Sequence, residues 1–430
     1  MPASAASWCG WCATRGCPSR STTLTSALGG GLFFLFAAAA PLFGAFYGEP
    51  AVVPIIRVLA VSFLLAAPES VYSALLIREM RFGLLGARRI AATLSGGAAG
   101  IAAAVGGLGV WALVIHSLVT AAAGSALLAW RSPWRPRWEF SRKAARELWG
   151  FGRWVTGSRL LNHLNRNADN LLIGRFLGAA ALGLYSFSYQ AVLLPLLVVA
   201  RPVSAVSFPS FARLQHDRPR CAKAYLDTLE MVTVVAWPVA ALAAFAAPAA
   251  IPIVVGTQWQ AAIPIFQVLS GVAALHSFMN LSAPLFDGLG RPEWGFRWTG
   301  FVLTLNLIGF AVGLRWGSLG VAVGLFVATC FQLPVQWLVL RRLLPLPFGR
   351  LVSLFARAVL LFAGVGTAWH AWAAWFEPVR GWLPLIACGL ATGLVSIALP
   401  ALLFPNAVVS VQRMVRSLRR GEPPALAEPG

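Results

Sequence analysis

The sequence predicts an all-α polytopic membrane protein of about 12 transmembrane helices. Three observations carry this. Of 430 residues, 58% are hydrophobic and only 11% charged, whereas soluble domains carry about 25% charged residues. Apolar stretches of about 20 residues, enough to cross a bilayer, recur along the chain. The connections between them alternate between basic and nearly neutral, the pattern that orients membrane proteins.

Taken in order, the spans fall near 27–47, 51–76, 84–106, 109–130, 150–175, 180–208, 225–247, 261–286, 294–314, 317–340, 353–376 and 382–404. Basic clusters follow the even-numbered spans: Arg78 to Arg89, Arg131 to Arg146, Arg213 to Lys223, Arg291 with Arg297, Arg341 to Arg350, and the tail Arg413 to Arg420. The odd-numbered connections hold only Arg175, Arg315 and Arg380. An even number of spans with both termini cytoplasmic follows. Tryptophans near span ends, such as Trp111, Trp130, Trp259 and Trp316, fit an interfacial belt.

The net charge of +20 invites a nucleic-acid reading, because basic surfaces attract phosphate backbones. The dispersal of the basic residues between apolar stretches excludes it, so no nucleic-acid partner is expected. Cys9-Gly-Trp-Cys12 lacks the strand–helix context of a redox motif and a nearby His for zinc. Residues 1–22 lack the continuous apolar core of a signal peptide. The glycine runs at 28–31 and 96–100 suit close helix packing, since a phosphate loop needs a strand–loop–helix context and usually a Lys. No catalytic constellation, metal site or cofactor motif is expected.

One span breaks the apolar rule. Phe151–Phe176 reads FGRWVTGSRLLNHLNRNADNLLIGRF. Ionisable groups at bilayer depth cost about 2.5–3.5 kcal/mol each on insertion scales and mark a pathway or a site. Arg159, Asn162, His163, Arg166, Asp169 and Asn170 follow three- and four-residue spacing, which places them on one helix face. Such a stripe suits a water-filled cavity; the competing reading is internal pairing of Arg166 with Asp169. Arg153 and Arg175, near the two ends, read as snorkelling residues. Arg57, Glu69 and Arg201 are isolated ionisable residues in other spans.

At Arg166–Pro195 the sequence RNADNLLIGRFLGAAALGLYSFSYQAVLLP closely resembles the seventh-helix region of bacterial polysaccharide transporters. These are lipid-linked oligosaccharide flippases of the multidrug/oligosaccharidyl-lipid/polysaccharide exporter superfamily. FYGEPAVVPIIRVLAVSFLL, GGLGVWALV, FPSFARLQHDRPRCAKAYL and GTQWQAAIPIFQVLS extend the resemblance, in order, from about residue 30 to residue 345. It implies two six-helix lobes, often with two further helices. On that frame residues 1–22 are an atypical non-membrane N-terminus. Residues 23–130 form a partial first lobe of about four helices, lacking the family's first two. Residues 131–148 form a basic cytoplasmic linker, 149–343 a six-helix second lobe, 344–408 two additional helices, and 409–430 a basic cytoplasmic tail.

The resemblance implies export of polyprenyl-pyrophosphate-linked oligosaccharide units across the bacterial inner membrane, without enzymatic chemistry. The products would be lipopolysaccharide, capsule or exopolysaccharide. Arg159, Asn162, His163, Arg166, Asn167, Asp169, Asn170 and Arg57 are the expected substrate-binding residues. Arg suits pyrophosphate and stays charged; Asn and His suit sugar hydroxyls; the lipid tail can remain in the bilayer. The expected partners are the lipid-linked substrate, membrane lipids and the polysaccharide polymerase machinery. The alternatives are a drug or small-solute antiporter of the same superfamily and a non-functional truncated paralogue.

Overall fold

The computed structural model describes residues 18–78, 81–131, 161, 163–375, 381–405 and 407. Every regular element among them is a helix, as lipid demands of a chain whose backbone must satisfy its own hydrogen bonds. Eight helical stretches among the described residues are long and apolar enough to cross a membrane. Two of them, Thr257–Gly288 and Glu293–Leu340, each contain two α-helices. The chain divides into two compact units, Met1–His163 and Leu164–Gly430.

The first unit contains α1 (Pro18–Tyr47), α2 (Val52–Arg78), α3 (Phe82–Val105) and α4 (Trp111–Arg131). α1 packs on α2, α3 on α4, and α2 on α4. Small residues set the close approaches. A Cβ on Gly29 would strike Ala67 and the carbonyl of Phe63; on Gly100 it would meet His116. Gly30, Gly31 and Gly97 have open space instead, so only part of each glycine run serves packing. Glu69 on α2 pairs with Arg88 on α3 and accepts from Ser125 Oγ on α4 at 3.3 Å. Ser125 also donates to the Leu65 carbonyl at 2.8 Å. Three helices thus share one ion-paired node, and Glu69 is a structural partner of Arg88.

The second unit begins with α5, helical over residues 163–176. It continues with α6 (Gly178–Arg213), α7 (Arg218–Val254), α8 (Ile263–Met279), α9 (Ser282–Gly288), α10 (Pro292–Gly313), α11 (Gly317–Leu340), α12 (Phe348–Trp375) and α13 (Trp382–Leu403). Short 3-10 turns at Thr257–Ala262 and Leu314–Trp316 precede α8 and α11. α7 has 37 residues, about 55 Å at 1.5 Å per residue, well beyond the hydrocarbon core. The apolar run alone predicts a start near 225. The helix begins seven residues earlier because the Asp217 side chain accepts from the backbone N–H of Arg220 at 3.0 Å and Pro219 occupies the first turn.

The span expected as continuous over 261–286 is divided. It is a 3-10 turn, then α8, a break at Asn280–Leu281, and α9. Pro284 accounts for the break. It has no N–H to give the carbonyl four residues back, at Asn280, and its ring crowds that carbonyl. Asn280 is exposed.

α7 is the spine of this unit, in contact with α6, α8, α12 and α13. Half of its most apolar window is buried, against 17% for α13, which makes α13 peripheral. Trp237 on α7 donates its indole N–H to Ser277 Oγ on α8 at 3.1 Å. It meets Phe278, Phe355 and Phe362 edge-on, with ring centroids at 5.7, 5.9 and 6.1 Å, the geometry favoured by ring quadrupoles.

Arg357 on α12 fastens the last two helices. It donates to Glu230 on α7 at 3.3 Å and to the Leu403 carbonyl at 3.1 Å, and lies 4.8 Å from the Phe404 ring centre. An Arg357→Leu exchange keeps most of the volume while leaving Glu230, 13% exposed, without this donor. We expect a loss of about 1–3 kcal/mol, read as a lower unfolding midpoint of the purified protein. A larger loss is expected from Arg357→Glu, which places like charges together.

Candidate functional site

The polar stripe runs along α5. A turn through Leu177 and Gly178, whose φ of +84° favours glycine, folds α6 back along it. Two side-chain bonds close this pair. The hydroxyl of Tyr185, wholly buried, donates to Asp169 Oδ2 at 2.9 Å, and Ser186 Oγ donates to Asn170 Oδ1 at 3.1 Å. Asp169 Oδ1 accepts from the backbone N–H of Asn170 at 2.8 Å. Asp169 is only 4% exposed, and the side chain that donates to it is Tyr185 rather than Arg166.

A cavity of about 260 Å³ opens beside α5, lined from this helix by Asn165, Arg166 and Asp169. Arg166 is exposed and Asp169 buried, so the cationic group is the accessible one. The opposite wall supplies His276 and Asn280 from the end of α8, Asn306 from α10 and Gln332 from α11. Gln332 is fully buried and donates its amide N–H to Asn306 Oδ1 at 2.8 Å. Its own Oε1 and the Asn165 Oδ1 are buried acceptors with no partner. His276 Nε2 lies 3.5 Å from Thr329 Oγ1. Apolar side chains such as Val192, Leu269 and Phe310 fill the remaining wall. Among the described residues no group of three His, Cys, Asp or Glu side chains is placed to hold a metal.

The structure brings Arg166 and Asp169 together at one cavity and places Asn170 in the α5–α6 contact. His163 is exposed and Asn167 half-buried. Arg57 is exposed on α2 in the other unit. Arg159, Asn162 and Arg153 lie outside the described residues, as do Cys9 and Cys12, and the side chain of Arg201 is likewise not described. Reading the stripe alone misses Asn165, His276, Asn306 and Gln332. Asn165 is adjacent to Arg166, and at about 100° per residue both border the same groove. The others are single polar residues in apolar spans, a signal in itself because unpaired polar groups are costly in lipid.

This arrangement offers one accessible cation, buried acceptors, and amide and imidazole groups in a confined space. It suits a ligand that carries both anionic and hydroxyl groups.

Comparison with known proteins agrees with the fold and extends it. A family model described as "Polysaccharide biosynthesis protein" matches residues 18–264. The chain is similar to the teichuronic acid biosynthesis protein TuaB of Bacillus subtilis (strain 168), with 32% identity over 292 residues, 67% of this chain and 60% of that protein. It is similar to the lipopolysaccharide biosynthesis protein WzxC of Escherichia coli (strain K12), with 26% identity over 306 residues, 70% and 61% of the two chains. The chain thus spans about 60% of the length of these curated relatives. Among solved structures it resembles the lipid II flippase MurJ in an inward closed conformation. The TM-score is 0.74 at 11% identity, over 91% of this chain and 85% of that one. It also resembles an inward-facing multidrug resistance MATE family transporter, with a TM-score of 0.61 at 18% identity over 80% and 84%. At these identities the structural likeness shows the fold alone: a multi-pass helical membrane protein of this architecture.

The Gln332–Asn306 bond can be tested apart from function. Gln332→Leu leaves the Asn306 carbonyl without its donor in a buried site and should cost about 1–3 kcal/mol. Adding Asn306→Leu should recover part of that loss, because removing both partners is gentler than removing one. A double-mutant cycle of unfolding midpoints measures the coupling.

Proposed function

Because the chain belongs to the polysaccharide biosynthesis protein family, we propose that it moves polyprenyl-pyrophosphate-linked oligosaccharide units across the bacterial inner membrane. The observation that supports this reading is that the exposed Arg166 lines one cavity with the buried amides of Asn306 and Gln332 and with His276. Pyrophosphate suits the planar guanidinium, which stays charged and binds oxygens in pairs. The amides and imidazole suit sugar hydroxyls. Arg159, Asn162 and His163, one and two turns before Arg166 on the expected stripe, would continue the polar track, and Arg57 would serve the first lobe.

Head-group transfer is the difficult step, because charged and polyhydroxyl groups lose water on entering hydrocarbon. A wet cavity open alternately to either side lowers that barrier, through rocking of one lobe against the other. No covalent chemistry is assigned to any residue. The charge alternation sets both termini in the cytoplasm, with the polysaccharide polymerase machinery acting on the exported unit. A cationic drug would need an accessible acid at this site, whereas Asp169 is buried and engaged by Tyr185.

The test is export by a strain lacking its own transporter and complemented with variants. Arg166→Ala should lower export about tenfold or more, a loss matching one charge-assisted contact of about 1.5–3 kcal/mol. Lipid-linked units should accumulate while protein remains at normal level in the membrane. Arg166→Lys should recover export only in part, because a point charge cannot bind two oxygens in fork geometry. Unimpaired export by the combined Arg159→Ala and Arg166→Ala variant would overturn the role of the stripe.

A further inference from the structure

His276 stands in the last turn of α8, just before the break at Asn280, and lines the polar cavity. α8 packs on α11, and the imidazole Nε2 lies 3.5 Å from Thr329 Oγ1. Thr329 is fully buried and is not part of the cavity wall. Its one hydroxyl proton is already given to the Leu325 carbonyl, at 2.8 Å. The threonine oxygen can therefore only accept from the ring, so Nε2 carries the proton. In the neutral imidazole the other nitrogen, Nδ1, then holds a bare lone pair. No hydrogen bond among the described residues reaches Nδ1. It is the polar atom that the ring has left to offer the cavity.

Other groups at the same cavity have a similar bias. Ser277 spends its hydroxyl proton on the Ala274 carbonyl, at 2.6 Å, and accepts from Trp237. Asn165 Oδ1 and Gln332 Oε1 are acceptors without a donor. Arg166 supplies the charge-assisted donors that suit an anion. A ligand group that meets Nδ1 must bring a proton of its own. A free sugar hydroxyl does so; an ester, an ether or a carboxylate at that position brings only lone pairs. A site shaped to receive a hydroxyl proton discriminates strongly against analogues that lack it.

We propose that His276 is a specificity-determining residue of this site: through Nδ1 it accepts a proton from a free hydroxyl on the sugar next to the pyrophosphate. Thr329 is a positioning residue that holds the imidazole in the tautomer this requires. The inference rests on the transport reading above and adds to it which units pass, namely those whose first sugar keeps that hydroxyl unsubstituted.

The test uses the purified full chain in nanodiscs and tritiated undecaprenyl pyrophosphate, bare or bearing one glucose, galactose or N-acetylglucosamine. The reading is the ratio of the Kd for the bare carrier to that for the tightest sugar-bearing form. It should be about tenfold, as one or two neutral hydrogen bonds provide. Replacing the hydroxyls of that sugar by fluorine one at a time should bring the ratio close to one at a single position. His276→Leu should do the same with the unaltered sugar. His276→Asn can set an amide oxygen where Nδ1 stood and should keep most of the preference. His276→Gln reaches toward Thr329 instead and should lose it. Thr329→Val should lower the ratio about threefold, and Thr329→Ser should restore it. Arg166→Ala should weaken bare and sugar-bearing carrier alike. Binding of the bare carrier also shows that each variant is folded. A ratio near one in the unaltered protein, or one insensitive to His276→Leu, would overturn the role of His276 and leave the transport reading standing. So would equal weakening of both forms by His276→Leu, the mark of a second cation for the pyrophosphate, or equal loss with Asn and Gln. Failure of every form to bind would overturn the transport reading and this inference with it.

Discussion

The constraint on which this structure depends is the cost of an unsatisfied polar group away from water. It makes every regular element among the described residues a helix, because a helix satisfies its own backbone. It also decides how the few polar side chains at depth are used. Glu69 is joined to Arg88 and Ser125 across three helices. Asp169 is capped by the Tyr185 hydroxyl, and Asn306 by Gln332. Each pair fixes the register of two elements that apolar packing alone would leave free to slide. Hydrocarbon gives little preference for protein over lipid, so association between helices relies on close backbone approach and on such bonds.

The second unit shows both devices. α7 supplies the apolar interior through Trp237 and its ring of phenylalanines. The α10–α11 pair instead uses four glycines, replacing side-chain contact with backbone contact. The consequence differs in kind. Around Trp237 the packing is filled, whereas glycine contact leaves a concave outer face. Asn280, where the helix breaks, lines the cavity, the setting in which irregular backbone is tolerated at membrane depth.

Much of the fold was legible because hydropathy and charge alternation read directly onto helices and connections. The expected spans correspond in order to helices among the described residues; of the polar span over 150–175, only residue 161 and residues from 163 onward are described. Boundaries were less legible where they depend on local bonds: the Asp217 cap extends α7 without any change in hydropathy, and Pro284 interrupts an otherwise apolar run without changing its composition. The site was legible along one helix only. Spacing of three and four residues identified Arg166 and Asp169 as neighbours, but spacing says nothing about what faces them. His276, Asn306 and Gln332 come from three helices far apart in sequence and meet only through tertiary packing.

The two acidic residues singled out in the spans, Glu69 and Asp169, both end in structural bonds, while the arginines differ. Arg88 is held by Glu69, and Arg357 by Glu230 and the end of α13. Arg166 and Arg315 are exposed, and Arg166 lines the polar cavity. A basic, hydrogen-bonding cavity lowers the barrier for an anionic, hydroxyl-bearing group that must leave water.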